Sequence, residues 1–295
     1  MRKGWLGPIR IAGVEVYLHV LLLVLPGMIL ASSKGEREAP LRFGLLAVVL
    51  ASVLLHELGH AFVAKARGLR VYDVRLHLLG GAARIERRLP LSWNPKDEVV
   101  VSLAGPVVNL AIAAVLLIAG LTAHRVLPGF ELSGWTNSLW ASAIATNALM
   151  GGLNLLPAFP ADGGRVFRAL LAYRTSYLTA TRVALVGTAL GVVGVIAWGL
   201  AGETRSGLLL SVATAAYLVL GAQREWAWAK TRRQIEIFRA FARASEGRWP
   251  AIGALPKDVE GQPYPSPGLF DDPELTADFA VFQSTAGRGE RYLPR

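Results

Sequence analysis

The chain contains no cysteine, and this absence excludes disulfide bonds, thiolate zinc ligands and cysteine nucleophiles. Charge is scarce as well, because only 18% of the 295 residues are Asp, Glu, Lys or Arg, whereas 53% are hydrophobic. Soluble domains carry about 25% charged residues. The composition therefore indicates a membrane protein.

Six apolar runs approach or exceed the roughly 20 residues that a helix needs to cross a bilayer. They are residues 16–31, 43–64, 99–122, 135–156, 183–201 and 207–222. Between the second and third runs, residues 71–88 alternate polar and apolar side chains around Gly80-Gly81, which is typical of a β-hairpin. The predicted fold is an all-α polytopic membrane protein with six transmembrane helices and a small membrane-associated β-hairpin between helices two and three.

The net charge of +10 could suggest a nucleic-acid partner, but the basic residues lie mostly at the ends of the apolar runs. They concentrate in residues 1–10, 65–96, 165–182 and 224–233, whereas the intervening loops hold few. The positive-inside rule therefore predicts that both termini face the cytosol. We expect a multi-pass protein of the cell membrane, embedded in the lipid bilayer, with no nucleic-acid partner.

The sequence divides into three predicted segments. Residues 1–222 would form one six-helix domain. Residues 223–248 are basic with interspersed Trp and Phe, which favours an amphipathic cytosolic helix, although a plain extension of the sixth helix fits equally well. Residues 249–295 are rich in Pro and Gly without periodicity, so we expect a mostly disordered cytosolic tail.

The second apolar run contains the motif His56-Glu57-Leu58-Gly59-His60, and Glu57 is the only acid in that run. Residues four apart lie on one face of a helix, so His56 and His60 can direct imidazole nitrogens at one cation. Glu57 lies beside them and is free to polarise a bound water. Because ionisable groups inside a membrane are costly and mark functional sites, the motif predicts a zinc hydrolase site.

A catalytic zinc usually has three protein ligands, and Asp162 is the candidate for the third. It is the only acid between Glu131 and Glu203, and it follows the fourth apolar run at the predicted cytosolic end. His56 and His60 lie near the predicted cytosolic end of the second run. The prolines and glycines around Asp162 predict unwound backbone, which membranes tolerate only around a cavity. The alternative is that Asp162 caps the helix that begins beside it.

Together, the HELGH motif and the later sequence NLLPAFPADGGR resemble the site-2 protease family of intramembrane zinc metalloproteases. The family pattern is matched by His56, Glu57 and His60, and then by Asn154, Pro157, Asp162 and Gly163. The resemblance covers about residues 1–222. It implies that Asp162 is the third zinc ligand, that Glu57 is the general base, and that Asn154 holds the substrate backbone or the oxyanion.

The function implied by this resemblance is zinc-dependent hydrolysis of peptide bonds in single-span membrane proteins, with one zinc per chain. The substrate must become extended to be cleaved, and the first hairpin strand could bind it by β-addition, which makes Leu76 and Leu78 candidate substrate-binding residues. A membrane metal transporter and a non-catalytic membrane scaffold are the alternatives. Transporters usually show internal repeats, and none is visible. The sequence leaves the oligomeric state and the substrate undefined.

Overall fold

A computed structural model describes residues 4–33, 38–78, 80–86, 93–126, 139–202 and 204–244. The described elements are four strands, β1 (Trp5–Ile11), β2 (Val14–His19), β3 (Val71–His77) and β4 (Gly80–Ile85), a 3₁₀ turn at Val20–Leu23, and seven α-helices. The helices are α1 (Val24–Ser32), α2 (Glu38–Ala66), α3 (Pro95–Val126), α4 (Leu139–Asn154), α5 (Asp162–Leu171), α6 (Tyr177–Ala201) and α7 (Arg205–Ala244).

Four of the described helices are long and apolar enough to cross a membrane. Their spanning segments are Ala39–Ala66, Pro95–Val126, Tyr177–Ala201 and Arg205–Arg233. Much of their apolar surface is exposed, including Ile118 at 65% and Leu190 at 68%. Apolar surface on this scale requires lipid around it, so the chain is an integral membrane protein.

The prediction of six transmembrane helices is not confirmed. The first part of the first predicted span belongs to strand β2, which ends at His19. The remainder of that span lies in Val20–Ser32, a short apolar helix. The fourth corresponds to α4, which has 16 described residues and packs against α2 and α3. Hydrophobicity alone predicted these segments as spans, but neither described helix reaches the length of one.

The β-structure is larger than predicted, because the four strands form one sheet in the order β1-β2-β3-β4. β3 and β4, in the region of the predicted hairpin, pair antiparallel, and β2 pairs with the other side of β3 in parallel. β1 and β2 are joined at Ala12 and Gly13, both with positive φ, as a two-residue hairpin turn requires. The buried face of the sheet packs on α2 through Val16, Val74 and Leu58.

The last helix, α7, continues without a break from Arg205 to Ala244. Its buried residues in the second half recur every three or four positions, at Glu225, Ala229, Arg232 and Ile235, so one face of this part of the helix contacts the rest of the protein. The residues of the predicted 223–248 segment that the structure describes, up to Ala244, belong to this same helix. Residues 245–295, which contain the predicted tail, lie outside the described residues.

Candidate metal centre

The central helix α2 carries His56, Glu57 and His60 in its last third. Their exposed fractions are 5%, 9% and 7%, so all three side chains are buried. The two histidines are one helical turn apart, and their Nε2 atoms are 3.1 Å from each other. The helical spacing therefore brings two imidazoles to one point, as the sequence predicted.

The third member of the site, Asp162, is the first residue of α5. Its Oδ2 lies 3.1 Å from Nε2 of both His56 and His60. The helix can begin here because Gly163 and Gly164 pack against the preceding turn, where an added Cβ would collide with backbone of Leu155 and Ala158. The N-cap of α5 is Ala161 rather than Asp162, so the Asp162 carboxylate is directed at the histidines.

Each imidazole is oriented by an acceptor at its other nitrogen. Nδ1 of His60 lies 2.7 Å from the carbonyl oxygen of Val101, and Nδ1 of His56 lies beside Oδ1 of Asn109. A carbonyl oxygen can only accept, so both Nδ1 atoms carry hydrogen, and each imidazole in its neutral form presents the lone pair of Nε2 to the site. Metal-binding histidines are oriented in this way.

The side chain of Asn109 is itself held in place, which fixes its oxygen toward His56. Its Nδ2 donates to Oδ1 of Asn147 at 2.7 Å, and Nδ2 of Asn147 donates to Oγ of Ser52 and to the carbonyl of Ala143, at 3.0 and 2.9 Å. Because the donors of both amides have partners, the oxygen of Asn109 is left to accept from the imidazole.

The three converging atoms fit a zinc ion. Tetrahedral zinc with bonds of about 2.0–2.1 Å places its ligand atoms roughly 3.3 Å apart, close to the 3.1 Å that separates each pair here. Two lone pairs and a carboxylate oxygen repel one another at this distance unless a cation lies between them. Among the described residues, His56, His60 and Asp162 are the only group of three or more with this arrangement.

Helix α3 passes the two imidazoles at Gly105. A Cβ at this position would lie 2.6 Å from Nε2 of His56 and would also collide with Nε2 of His60. Glycine is therefore required where the helix backbone approaches the donor atoms. Gly105 thus forms one wall of the metal centre.

The carboxylate of Glu57 lies next to the cluster and contacts the sheet. Its Oε2 accepts a hydrogen bond from the backbone N–H of Ala83 at 2.6 Å, and Gly81 passes so close that a Cβ would lie 2.6 Å from Cγ of Glu57. Glu57 is thus fixed against β4 while its carboxylate remains beside the donor atoms. This position suits a residue that exchanges protons with a water at the site.

The structure does not bring the other predicted site residues to the cluster. Asn154 is half-buried at the end of α4, and its amide donates to the carbonyl of Met150 within the same helix at 2.9 Å. Leu76 is buried in the sheet core, 3% exposed, and Leu78 lies in the turn after β3, 46% exposed. β3 has strands on both sides, so strand addition to β3, as predicted, has no free edge.

Sequence reasoning gave no role to Asn109, Asn147 or Gly105. The first two could have been found, because an asparagine in an apolar membrane run is costly and marks a functional contact. Gly105 carries no such signal, since glycine is frequent in all the runs. The acceptor for His60 is a backbone carbonyl, and every residue has one, so the sequence does not indicate which residue supplies it.

Comparison with known proteins agrees with this geometry. Residues 44–132 match the model of peptidase family M50. The chain is 34% identical over 177 residues to zinc metalloprotease MJ0392 of Methanocaldococcus jannaschii, covering 59% of this chain and 48% of that protein. It is 31% identical over 178 residues to Rip2 of Mycobacterium tuberculosis, covering 50% of this chain and 67% of Rip2.

A solved structure, the site-2 protease from Methanocaldococcus jannaschii, has a similar fold. The TM-score is 0.53 at 29% identity, and the match covers 75% of this chain and 95% of that one. The chain spans about half the length of several curated relatives that it matches.

Proposed function

The chain belongs to peptidase family M50, the site-2 proteases, and we propose that it is a zinc-dependent endopeptidase that cleaves single-span membrane proteins within the bilayer. One observation supports this most directly. Two imidazole lone pairs and one carboxylate oxygen, each 3.1 Å from the others, converge beside a buried glutamate that is not part of the trio.

The chemistry is divided between the metal and Glu57. A zinc ion held by His56, His60 and Asp162, one per chain, would activate water and polarise the scissile carbonyl. Glu57 accepts the proton from the attacking water and delivers it to the leaving amine. The N–H of Ala83 holds Glu57 in position for both transfers.

The residue proposed to stabilise the oxyanion is Asn154. Asn154 is the last residue of α4, from which the chain leads toward Asp162, and its amide donates to the carbonyl of Met150 in the same helix. Donation to a substrate would exchange that intrahelical bond for one to the oxyanion. This role rests on the family pattern rather than on a contact with the metal ligands.

We place the extended substrate on β4 rather than on β3. β4 is an edge strand of the described sheet, and the N–H of Ala83 on its outer side reaches Glu57. A substrate strand added there would lie beside both the general base and the metal ligands. Leu76 would then support the sheet from its core, and Leu78 would flank the turn that leads into β4.

The two edges of the sheet provide a matched test of this placement. The chain has no cysteine, so Ala82→Cys on β4 and Leu6→Cys on β1 can be introduced singly into a Glu57→Gln background. We expect a membrane peptide with one cysteine near its cleavage site to form a disulfide with the β4 variant. Equal crosslinking to both edges, or to β1 alone, would refute substrate binding at β4.

We further propose that the protein lies in the cell membrane with both termini in the cytosol, as the distribution of basic residues indicates.

The proposed activity is tested by separating metal binding from cleavage. Glu57→Gln keeps the size of the side chain but cannot accept a proton, so the purified variant should retain about one zinc per chain. Its cleavage of a single-span substrate in proteoliposomes should fall on the order of 10³-fold. Glu15→Gln, a change on strand β2, is the control and should cleave at the wild-type rate. Undiminished cleavage by Glu57→Gln would exclude this mechanism.

A further inference from the structure

A second buried polar region, which we call the Arg168 cluster, consists of Glu98 of α3, Arg165 and Arg168 of α5, and Glu225 of α7. Arg168 is 3% exposed. Its Nη1 donates to Oε2 of Glu225 at 2.7 Å, and its Nε and Nη2 donate to Oε1 of Glu98, the former at 3.1 Å. Nη2 of Arg165 donates to the other oxygen of Glu225 at 3.2 Å.

The guanidinium of Arg168 is enclosed by two aromatic rings, with its Cζ 4.7 Å from the ring centre of Tyr177 and 5.1 Å from that of Phe159. Burial would lower the pKa of Arg168, but the carboxylates of Glu98 and Glu225 outweigh it, and the pKa is raised above its ordinary value. Arg168 is therefore charged, and each of its three side-chain nitrogens donates to a carboxylate.

A buried ion pair of this kind is weak evidence for stability, because removing the charges from water costs about as much as their attraction returns. Its clearer effect is on geometry. A guanidinium offers donors in fixed directions, so a carboxylate on each side fixes α5 in both position and rotation.

Helix α5 is only ten residues long, and its first residue is the metal ligand Asp162. Arg168 lies six residues further on, about 9 Å along the helix axis. A shift of α5 along or around its axis would therefore move the Asp162 carboxylate by a similar amount. The 3.1 Å contacts of Asp162 to both histidines leave little room for such a shift.

The anchor of Arg168 on α3 is close to the acceptor that orients His60. Glu98 precedes Val101 by three residues, one helical turn, and the carbonyl of Val101 is the partner of His60 Nδ1. The same turn of α3 thus fixes an imidazole on α2 and the helix that carries the carboxylate. The distance between His60 and Asp162 therefore depends on a single turn of α3.

We propose that Arg168 is a positioning residue of the metal centre, which acts through α5 to hold the Asp162 carboxylate at the two histidines, with Glu98 as its anchor on α3. This inference rests on the proposed function in that it takes the three residues as a zinc site. The described contacts of Arg168 are to Glu98, Glu225 and two aromatic rings, and none is to the three metal-binding residues. Glu225 adds a second anchor on α7.

The test compares two buried arginines. Arg168→Lys keeps the positive charge but loses the planar guanidinium with its fixed donor directions. Arg232→Lys makes the same chemical change on α7 and is the control. Arg232 is 4% exposed, its Cζ lies 4.0 Å from the ring centre of Tyr177, and it donates to Glu236 at 3.3 Å, but it has no bond to α5 among the contacts described. Zinc affinity is measured on the purified full chain by competition with a chelator, and thermal unfolding is measured in parallel.

We expect Arg168→Lys to weaken zinc binding by about 10- to 100-fold, the range seen when a direct partner of a metal ligand is lost, because a shift of α5 would displace the Asp162 carboxylate. The variant should also alter the visible spectrum of the Co²⁺-substituted protein. Arg232→Lys should bind zinc within about threefold of wild type even if it unfolds at a similarly lower temperature. If Arg168→Lys does not fold, Glu98→Gln removes the charge of the anchor with little change of shape and should give the same loss.

A zinc affinity in folded Arg168→Lys or Glu98→Gln within threefold of wild type would overturn the positioning role alone. An equal loss in Arg232→Lys would overturn it too, since the effect would then be general destabilisation. Absence of zinc binding in the wild-type protein would overturn the proposed function and this role with it. Zinc binding that depends on Arg168 in a protein without peptidase activity would support the positioning role and refute only the activity.

Discussion

The metal centre and the Arg168 cluster are both buried, polar and built on α3 and α5, yet their charges are balanced in opposite ways. In the cluster, two arginines face two carboxylates, and each guanidinium donates to an acceptor. In the metal centre, two imidazole lone pairs and a carboxylate face one another at 3.1 Å. In the cluster, charges of opposite sign pair with one another, and among the described residues only Nε of Arg165 is left without a hydrogen-bond partner there. In the metal centre, a cation would offset the converging acceptors.

The difference shows how one helix can serve a structural and a chemical role. The second turn of α5 is fixed by paired charges, and its first residue presents an acceptor to a site rich in acceptors. Ion pairs suit the second turn of α5, which must stay in place, because paired charges do not attract a further ligand. Converging acceptors suit the start of α5, where Asp162 lies, because a metal cation would attract all of them and so offset their mutual repulsion.

The largest effect should come from removing an acceptor of the metal centre. Asp162→Ala deletes one of three protein ligands, so zinc content of the purified protein should fall far below one per chain and cleavage should be lost. Metal analysis and a proteoliposome cleavage assay measure the two consequences. Full zinc occupancy in Asp162→Ala would show that the carboxylate is not a ligand.

A smaller but still large effect is expected from Gly105→Ala. The added methyl would collide with both Nε2 atoms, so the imidazoles must move and zinc affinity should fall at least tenfold. Gly194→Ala in α6 is the control, because an added Cβ there meets nothing within 4 Å. That change should leave zinc affinity unaltered. Equal affinities for both variants would contradict the close approach of α3 to the histidines.

The smallest of these effects should follow from the hydrogen-bond chain behind His56. Asn109→Leu removes the acceptor of Nδ1, and zinc affinity should fall by about tenfold, the lower end of the range for such partners. Asn109→Asp keeps an acceptor at the same place and should retain more affinity than the leucine variant. Chelator competition distinguishes the two. If both bind zinc as tightly as wild type, Asn109 does not orient His56.

The metal centre could be predicted from sequence because its parts are recognisable one by one. His56 and His60 are related by helical spacing, and Asp162 is an isolated acid beside two glycines. The contacts that hold them could not be predicted in the same way. Arg168 and Glu225 are 57 residues apart, and in the sequence both read as ordinary charges at the end of an apolar run.

The observed fold departs from the predicted one in β1 and β2. The alternation in Val14–His19 leads directly into an apolar helix, and hydrophobicity merged the two into one span. β2 and β3 are distant in sequence and pair in parallel. Local pattern can indicate a strand, but it does not indicate a partner at that distance, so a four-stranded sheet was expected to be a hairpin.

The length of α7 has a mechanical consequence. Forty residues of helix extend about 60 Å, roughly twice the thickness of the hydrocarbon core. Glu225 lies near the middle of α7, so a tilt of the helix about Glu225 moves both of its ends. Tilting it by about 10° around that point would move Ala244 by roughly 5 Å while Glu225 stayed in place. A displacement of the far end of α7 therefore leaves in place the residue that contacts α5, the helix that carries Asp162.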